Sequence, residues 1–532
     1  MRDIQQLIDK CILIKEDTGG RSTSYFLKKW NKETISNILK NVIFNSMKKQ
    51  NYILLSFFII VTLVCKQNAI AAQLNSINSS TDNFPQNAFW YPINNFTNKV
   101  PAVYIYTKGN TILNEPKVQA LIQIQIGDTI VSKSNIGIEY RGSTSFRLFE
   151  QKSYGFELRD AMNQSTDSAI MDFPKQSDFI LYAPANDKSL IRNTLIYDLS
   201  NQLGMYAVRT KYVQLFINGK YDGLYVLMEK IKRDKNRVNI AKLATTDNNS
   251  SEITGGYILK IDKSAGDNDL KGWEADAVYK KSLGFRSDYD PNGEKIKYAP
   301  YGRKRGSETY IMYEYPKSNA ITNEQKNYLQ QFFNDFENSL LSSDYSDPKL
   351  GYAQYINLNS FIDFLLLNEL AYNPDGYRLS TYMNKDRVGK LNMGPIWDFN
   401  LGFGNDDRSA FTKANTWMFN YNKYYADDTW LIHFWWNKLL LDSNFVCQLK
   451  TRWNQLRSSI MSEANIKKTI QSHTNTLQMN NSIETHFERW KILGVRLPFN
   501  NFVGKTHQEE IDFIQSWIQK RLSWMDKEIT KL

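Results

Sequence analysis

The sequence predicts an α+β protein with a β-rich N-terminal part and a helical C-terminal part, arranged as two lobes with a cleft between them. Three observations lead to this fold class. Short apolar or alternating segments, separated by Gly, Asn and Asp, follow one another from about residue 100 to residue 262. Longer segments with apolar residues at three-to-four spacing dominate after residue 320. The aromatic content of 14 % is that of a globular chain and excludes a disordered one.

The N-terminal part of the chain contains a segment with the composition of a secretory signal peptide, residues 47–72. A pair of lysines precedes the apolar run Tyr52–Cys65, and an Ala-x-Ala cleavage site follows it. This run is shorter than the roughly 20 residues that span a membrane, so we expect cleavage, with Met47 as the true start. Residues 1–46 are then an upstream extension; the alternative is a cytoplasmic tail on a signal anchor. The mature chain is expected outside the cytoplasm, secreted or at the cell-envelope exterior.

Charge and cysteine content exclude several classes of protein. The formal net charge is +11, but residues 1–72 carry +6 of it and residues 73–532 only +5. Without a basic stripe interleaved with aromatic residues, no nucleic-acid partner is expected. The three cysteines and four histidines show no zinc-ligand spacing. Cys447 lies in a helical pattern beside Phe445 and Val446, which predicts a buried, inert thiol.

The β-rich lobe is predicted to extend from residue 93 to residue 320, after an Asn/Ser-rich linker at 73–92. Asn218-Gly219 joins two β-rich runs and predicts a hairpin. The segment KSLIRNTLIYDLSNQLGM is expected to form a helix that ends by Gly204. The polar stretch from 263 to about 318 is expected to form long loops. Other predicted strands are VPAVYIYT, ALIQIQIG, SNIGIEYRG, SYGFELRD and GGYILKID.

The helical lobe, residues 321–532, contains the stretch with the most chemical information, residues 373–405. The preceding helix is expected to end near Tyr372, and Asn-Pro-Asp-Gly then forms a polar corner. The segment TYMNKDRVGKLNMGPIW resembles a strand, a turn at Asp386–Gly389 and a second strand. Further helices are predicted in TNEQKNYLQQFFNDFENSLL, in NLNSFIDFLLLNELAY and in the two runs after Asp427.

Two acids flank this hairpin and should lie near each other. Asp375 precedes the hairpin, and Asp398 follows it within GPIWDFNLGFGN, where Asp398 is the only ionisable residue. A pair of carboxylates at one site suits divalent-metal and phosphoryl chemistry, one holding the metal and the other orienting a hydroxyl. The arrangement is similar to that of protein kinases, in which a catalytic Asp precedes a metal-binding Asp across a short hairpin. Ser380 would then take the place of a second metal ligand.

Structural alternatives remain open for both acids. Asp375 in an Asn-Pro-Asp-Gly corner could be an ordinary turn residue. Asp398 could be a buried acid paired with an arginine such as Arg378. Spacing alone does not decide between these roles and the catalytic ones.

Five segments, taken together and in order, closely resemble the spore-coat protein H (CotH) kinase family. Each segment alone is a weak match, but five in the family's order are highly specific. The segments are IEYRGSTSFRLFEQKSYGFEL (138–158), LYAPANDKSLIRNTLIYDLS (181–200), VQLFINGKYDGLYVLMEKI (213–231), GGYILKIDK (255–263) and DGYRLSTYMNKDRVGKLNMGPIWDFNLGFGN (375–405).

The resemblance implies a secreted or coat-associated atypical protein kinase with a divergent, two-lobed kinase-like fold. Such a kinase uses ATP and Mg²⁺ or Mn²⁺ to phosphorylate Ser or Thr of proteins. By this match Asp375 is the catalytic acid and Asp398 the metal-binding acid. A kinase also needs a cation on the phosphates and an acid to hold it; we expect Lys152 as the cation, with Arg141 and Lys260 as rivals, and Glu229 as the acid.

The sequence departs from the family pattern at one position, and two other functions are weighed beside the kinase. Asn400 stands where Trp-Asp-Phe-Asp is frequent, which would weaken a second metal site because an amide is neutral. The main alternative is a non-catalytic cell-surface binding or adhesion protein; a carbohydrate-processing protein is a weaker third candidate. The expected partners are a protein substrate and, transiently through the signal peptide, the membrane; we expect a monomer.

Overall fold

The computed structural model describes residues 13–16, 24–27, 100–264, 278–301 and 308–532. The predicted signal peptide, its start at Met47 and the linker at 73–92 lie outside the described residues. The described residues fall into two units, one with residues 13–16 and 24–27 and the other with the described residues from 100 onward. In the first unit, strands β1 (Leu13–Glu16) and β2 (Ser24–Leu27) pair antiparallel.

Seven strands of the second unit form a closed barrel, in the order β3-β4-β5-β6-β7-β9-β8. Neighbouring strands of the barrel pair antiparallel, except that β3 and β8 close it in parallel. Closure removes the exposed sheet edges that would otherwise attract other chains. The strands are β3 (Ala102–Tyr106), β4 (Val118–Ile126), β5 (Thr129–Arg141), β6 (Ser153–Arg159), β7 (Asp178–Tyr182), β8 (Thr210–Ile217) and β9 (Lys220–Glu229).

Alternating apolar residues make the barrel possible. Val103, Ile105, Ile136 and Ile138 are completely buried and belong to one cluster that fills the barrel. The β8–β9 hairpin is confirmed at Asn218-Gly219, where both residues have positive φ, as a tight two-residue turn requires. The sequence pattern therefore predicts most of the barrel strands because each strand buries every second side chain.

A second, five-stranded sheet has the order β11-β12-β10-β13-β14. It contains the predicted hairpin, which is confirmed as β13 (Thr381–Lys385) and β14 (Leu391–Met393). The remaining strands are β10 (Tyr257–Ile261), β11 (Gly284–Arg286) and β12 (Tyr310–Tyr315).

The expectation of long loops from 263 to about 318 is wrong at β11 and β12. Strand β12 lies inside the sheet, paired with β11 on one side and with β10 on the other. Its partner β10 ends about fifty positions earlier in the sequence, so the strand depends on tertiary pairing that a local pattern does not reveal.

The predicted helices dominate the C-terminal part. Thr322 and Gln325 form a capping box at the start of α3, and Tyr372 ends α4 in the left-handed conformation. Among the described residues, no helix combines the length and the apolar composition needed to cross a membrane. The helices are α1 (Thr144–Leu148), α2 (Arg192–Gln202), α3 (Asn323–Leu341), α4 (Leu358–Ala371), α5 (Tyr421–Tyr424), α6 (Trp435–Leu439), α7 (Ser443–Arg457), α8 (Glu463–Leu477), α9 (Ser482–Arg489) and α10 (His507–Lys531).

The C-terminal helices pack on the sheet and on the barrel. Glu369 of α4 and Arg521 of α10 form a completely buried ion pair at 2.8 Å. Against the barrel wall, the backbone N–H of Leu224 donates to His486 Nδ1 at 3.0 Å. The prediction of an α+β chain with a β-rich N-terminal part and a helical C-terminal part is thus confirmed.

The prediction of a buried thiol at Cys447 is wrong. The side chain is exposed, although it lies on the predicted helix α7. Its neighbours Phe445 and Val446 are buried, and a residue one position further along a helix turns by about 100° away from that face.

Candidate active site

A cleft of about 630 Å³ lies where the barrel meets the end of β10 and the loops around the β13–β14 hairpin. Both predicted acids, Asp375 and Asp398, line it. The predicted Ser380 also lines it, with a positive φ of 49°. The hairpin therefore brings these three residues to one cavity.

Asp375 is held by two arginines. Its Oδ1 accepts a hydrogen bond from Arg378 Nη2 at 2.9 Å, and Arg408 Nη2 lies 3.8 Å from the same oxygen. Arg378 is itself fixed, because its Nε donates to Pro374 O at 2.7 Å. Burial alone would raise the pKa of Asp375, but Arg378 and Arg408 outweigh burial and hold this pKa below its usual range. The carboxylate is therefore ionised and oriented at neutral pH.

Asp398 sits in the opposite electrostatic setting. Burial, together with the negative charges of Asp375 and Asp262, raises the pKa of Asp398 to about 7. The alternative in which Arg378 pairs with Asp398 is not what the structure contains: Arg378 pairs with Asp375 and, at 3.4 Å, with Asp428. Asp398 is thus a carboxylate in surroundings that favour an added positive charge.

Helix α2 anchors the backbone around Asp398. The Asp398 N–H donates to the Tyr197 hydroxyl at 3.1 Å, and the Phe399 N–H donates to Asn193 Oδ1 at 2.6 Å. These bonds hold Asp398 at a φ of 63°, a left-handed conformation that a non-glycine residue rarely adopts. Strained backbone of this kind clusters at functional sites, where the surrounding structure enforces it.

Two of the four predicted nucleotide-side residues face the cleft. The Arg141 guanidinium stacks over the Trp397 ring, 5.4 Å from its centroid. Lys260 Nζ lies 3.5 Å from Glu314 and 3.7 Å from Asp262. Arg141 ends barrel strand β5 and Lys260 lies on β10, so the barrel and β10 each supply one cation to the cleft.

The other two, Lys152 and Glu229, are not among the residues that line the cleft. Lys152 Nζ donates to the carbonyl oxygens of Phe146 and Phe149, where it caps the end of α1. Glu229 is completely buried and contacts Arg209 at 2.9 Å and Arg237 at 3.3 Å. Both side chains therefore have structural partners and no place in the cleft lining.

The donor set at Asp398 is compatible with Mg²⁺ or Mn²⁺. Among the described residues, no three His, Cys, Asp or Glu side chains form a metal-binding group. Mg²⁺, however, commonly binds through one or two carboxylates and completes its shell with water and substrate phosphates. Asp398 and the Ser380 hydroxyl would suit that mode of binding, since burial and the charges of Asp375 and Asp262, which raise the pKa of Asp398 to about 7, would be offset by a bound cation.

The comparison with known families decides what kind of chain this is. The model of the CotH kinase protein family matches residues 138–525. The chain belongs to this family. The match runs from β5 to α10 and includes all seven predicted site residues. A search of curated proteins finds no significant match. Membership of the CotH kinase family indicates a kinase-like function and an association with the spore coat.

Asn400, where this CotH-family chain departs from the frequent acid, takes part in an amide pair. Its Nδ2 donates to Asn186 Oδ1 at 2.9 Å, and both residues line the cleft. Asn186 also accepts, through its carbonyl, hydrogen bonds from Asn405 and Asn500. The pair is neutral and well anchored, so it adds no negative charge beside Asp398.

Sequence reasoning missed several residues of the CotH-family cleft. Asp262 and Lys263 follow β10 within the quoted GGYILKIDK segment, and Arg408 lies just beyond GPIWDFNLGFGN. Asn193 and Tyr197 were part of the predicted helix α2 but carried no signal of their function. The alternation of β10 could have placed Lys260 and Asp262 on one face, but only tertiary pairing brings that face to the hairpin.

Proposed function

We propose that this chain is a secreted atypical protein kinase that transfers the γ-phosphate of ATP to Ser or Thr of extracytoplasmic or coat proteins. The observation that carries the proposal is that Asp375, Asp398, Arg141 and Lys260 line one cleft. Phosphoryl transfer needs little covalent chemistry from the protein, because positioning and charge stabilisation supply most of the rate. An oriented acid, a metal-binding acid and opposing cations meet that need.

Asp375 would receive the substrate hydroxyl. Its ionised carboxylate, oriented by Arg378 and Arg408, can accept the hydroxyl hydrogen bond and take the proton as transfer proceeds. A lowered pKa makes Asp375 a weak base, which suits a loose transition state in which the hydroxyl need not be deprotonated early.

Asp398 and Ser380 would hold Mg²⁺ or Mn²⁺. When bound, the ion would neutralise negative charge on the phosphates. Arg141 and Lys260 would contact the nucleotide phosphates from the opposite wall, in the place first expected for Lys152. In this proposal the barrel and the end of β10 form the nucleotide side of the cleft. The Asn-Pro-Asp-Gly corner after α4, which carries Asp375, forms the acceptor side. This amounts to a divergent, kinase-like, two-lobed arrangement.

A location outside the cytoplasm is part of the proposal. It rests on the signal-peptide composition of residues 47–72 and on the coat association of the CotH family. The partner is a protein substrate; nucleic acid is not expected, and the chain is proposed to act as a monomer.

The proposal is tested by phosphoryl transfer from γ-labelled ATP with Mg²⁺ or Mn²⁺, scored on the chain itself and on a generic protein substrate. Label should appear with the wild type and fall by about 100-fold or more in Asp375→Ala and in Asp398→Ala. Asp407→Ala is the matched control, because Asp407 lines the same cleft but has no assigned role. Retained label in both acid variants would exclude this cleft as the site of transfer.

The alternative, a non-catalytic binding or adhesion protein, is favoured by one observation. The neutral Asn186–Asn400 pair stands where a second metal-binding acid is frequent in the family. If the wild type, shown to be folded, transfers no label with either metal, this alternative replaces the kinase proposal.

A further inference from the structure

Tyr421 supports both arginines that hold Asp375. This tyrosine begins α5 and is completely buried, whereas Arg378 and Arg408 line the cleft. The Arg378 guanidinium lies over the Tyr421 ring, 4.1 Å from its centroid, and the Arg408 guanidinium lies 5.6 Å from the same centroid. One aromatic ring therefore packs against two cations, at distances at which its π face attracts them.

The hydroxyl of Tyr421 has one charged partner of each sign. It accepts a hydrogen bond from Arg408 Nη1 at 2.9 Å and donates one to Asp428 Oδ2. The other oxygen of this carboxylate, Oδ1, accepts from the Trp430 N–H at 3.0 Å. The hydroxyl and this N–H together hold the Asp428 carboxylate in place.

Asp428 and Asp375 compete for Arg378. Arg378 Nη2 donates to Asp375 Oδ1 at 2.9 Å, and Arg378 Nη1 lies 3.4 Å from Asp428 Oδ1. Burial raises the pKa of Asp375, and the charge of Arg378 is the strongest of the effects that lower it. A shift of this guanidinium towards Asp428 would therefore take from Asp375 the partner that keeps it ionised and oriented.

Arg408 is too strongly engaged elsewhere to replace Arg378 at Asp375. Its Nη2 and Nε donate to Asp406 at 2.6 and 2.9 Å, while Nη2 lies 3.8 Å from Asp375. Asp406 is almost completely buried, so its charge needs this arginine. The orientation of Asp375 therefore depends on Arg378.

The position of Arg378 depends in turn on the donors that compensate Asp428. A partly buried carboxylate that loses a hydrogen-bond donor interacts more strongly with any cation beside it. The cation beside Asp428 is Arg378. Loss of the Tyr421 hydroxyl would thus draw Arg378 from Asp375 towards Asp428.

We infer that Tyr421 is a positioning residue of the proposed reaction: its hydroxyl compensates Asp428, so that Arg378 stays on Asp375. The inference rests on the proposed function and adds to the acceptor side a residue that does not line the cleft. Tyr421 acts only through Arg378 and Asp375.

The test is the steady-state kinetics of transfer from γ-labelled MgATP to a generic protein substrate. Tyr421→Phe keeps the ring and removes the hydroxyl, so kcat should fall by about tenfold while the KM for MgATP stays within about twofold. Misplacement of Asp375 affects the acceptor hydroxyl and leaves Asp398 and the nucleotide-side cations unchanged. Tyr425→Phe is the matched control and should keep the wild-type kcat. The Tyr425 ring packs 5.3 Å from that of Tyr421, and its hydroxyl accepts from the Ala410 N–H.

A double variant separates positioning from a loss of structure. In Tyr421→Phe/Asp428→Asn the neutral amide no longer competes for Arg378, so kcat should return to within about threefold of the wild-type value. A merely structural defect at Tyr421 would not be repaired by this second substitution. Because the double variant has no uncompensated carboxylate at position 428, it also tests the inference if the single variant folds poorly.

The outcomes separate the inference from the proposed function. A wild-type kcat in Tyr421→Phe, or a double variant that transfers no faster than Tyr421→Phe, would overturn the inference while the proposed function stands. A KM for MgATP that rises as much as kcat falls would also overturn it, because Tyr421 would then act on the nucleotide side. A wild type that transfers no label would overturn the proposed function, and the inference with it.

Discussion

At the scale of single residues, the environment gives two identical side chains opposite properties. Burial acts on both, but at Asp375 the hydrogen bond from Arg378 and the nearby charge of Arg408 outweigh burial, so the pKa of Asp375 falls. At Asp398 burial acts together with other carboxylates, so its pKa rises to about 7. The sequence predicts that these acids meet, because a short hairpin separates them. It does not predict which acid is compensated, because Arg378 could pair with either acid and Arg408 reaches Asp375 only through tertiary packing.

The buried side chain of His486 should make the free energy of unfolding depend on pH. Its Nδ1 accepts the Leu224 N–H, and burial, together with the charge of His507, lowers the pKa of His486 to about 3. Below about pH 6.5 the unfolded chain takes up a proton at this position and the folded chain does not. The folded state therefore loses stability as the pH falls from about 6.5 towards 3, and gains nothing from this group above 6.5.

His486→Asn should remove this dependence, because the Asn Oδ1 can still accept the Leu224 N–H. Between pH 6.5 and pH 5 the wild type should lose about 2 kcal/mol more than the variant in free energy of unfolding. Urea denaturation at the two pH values measures the difference. Parallel losses in both proteins would show that His486 titrates normally in the folded state.

At the scale of elements, the loop GPIWDFNLGFGN connects the hairpin to the helices that support it. Helix α2 fixes the loop at Asp398, and Gly404 brings it against Trp517 of α10. Gly404 lets the backbone pass close to this helix: it has a φ of 74°, and an added Cβ would lie 2.4 Å from the Trp517 ring. What the glycine packs against could not be predicted, because α10 lies more than a hundred residues further along.

Gly404→Ala should therefore destabilise the chain in two ways. The left-handed conformation disfavours Ala by about 1–2 kcal/mol, and the contact with Trp517 adds about 1–3 kcal/mol of overpacking. Gly494→Ala is the matched control, because Gly494 has a φ of 72° but open space around it. Urea denaturation should give a larger loss for Gly404→Ala. Equal losses would mean that the contact with Trp517 contributes nothing.

At the scale of the whole molecule, the barrel, the second sheet and the C-terminal helices belong to one compact unit, residues 84–532. Periodicity predicted most barrel strands, the β13–β14 hairpin and the main helices, because these elements bury one face each. It failed for β11 and β12, whose partners are distant in sequence, and for Cys447, whose helix face turns outward. In the sequence, Lys152, Glu229 and Lys260 all looked like charges on strands, and only packing separates the charged residues of the cleft from those of the scaffold.

The central claim is that this cleft binds a metal–nucleotide complex between Asp398 and the opposing cations, and thermal unfolding tests it most directly. A ligand at a hundredfold excess over its Kd stabilises the folded state by about 2.7 kcal/mol, which raises Tm measurably. Wild type should gain Tm with ATP and Mg²⁺ or Mn²⁺ together, more than with either alone. Asp398→Ala should lose this gain and Asp407→Ala should keep it. No gain in the wild type at millimolar ATP and metal would contradict the account.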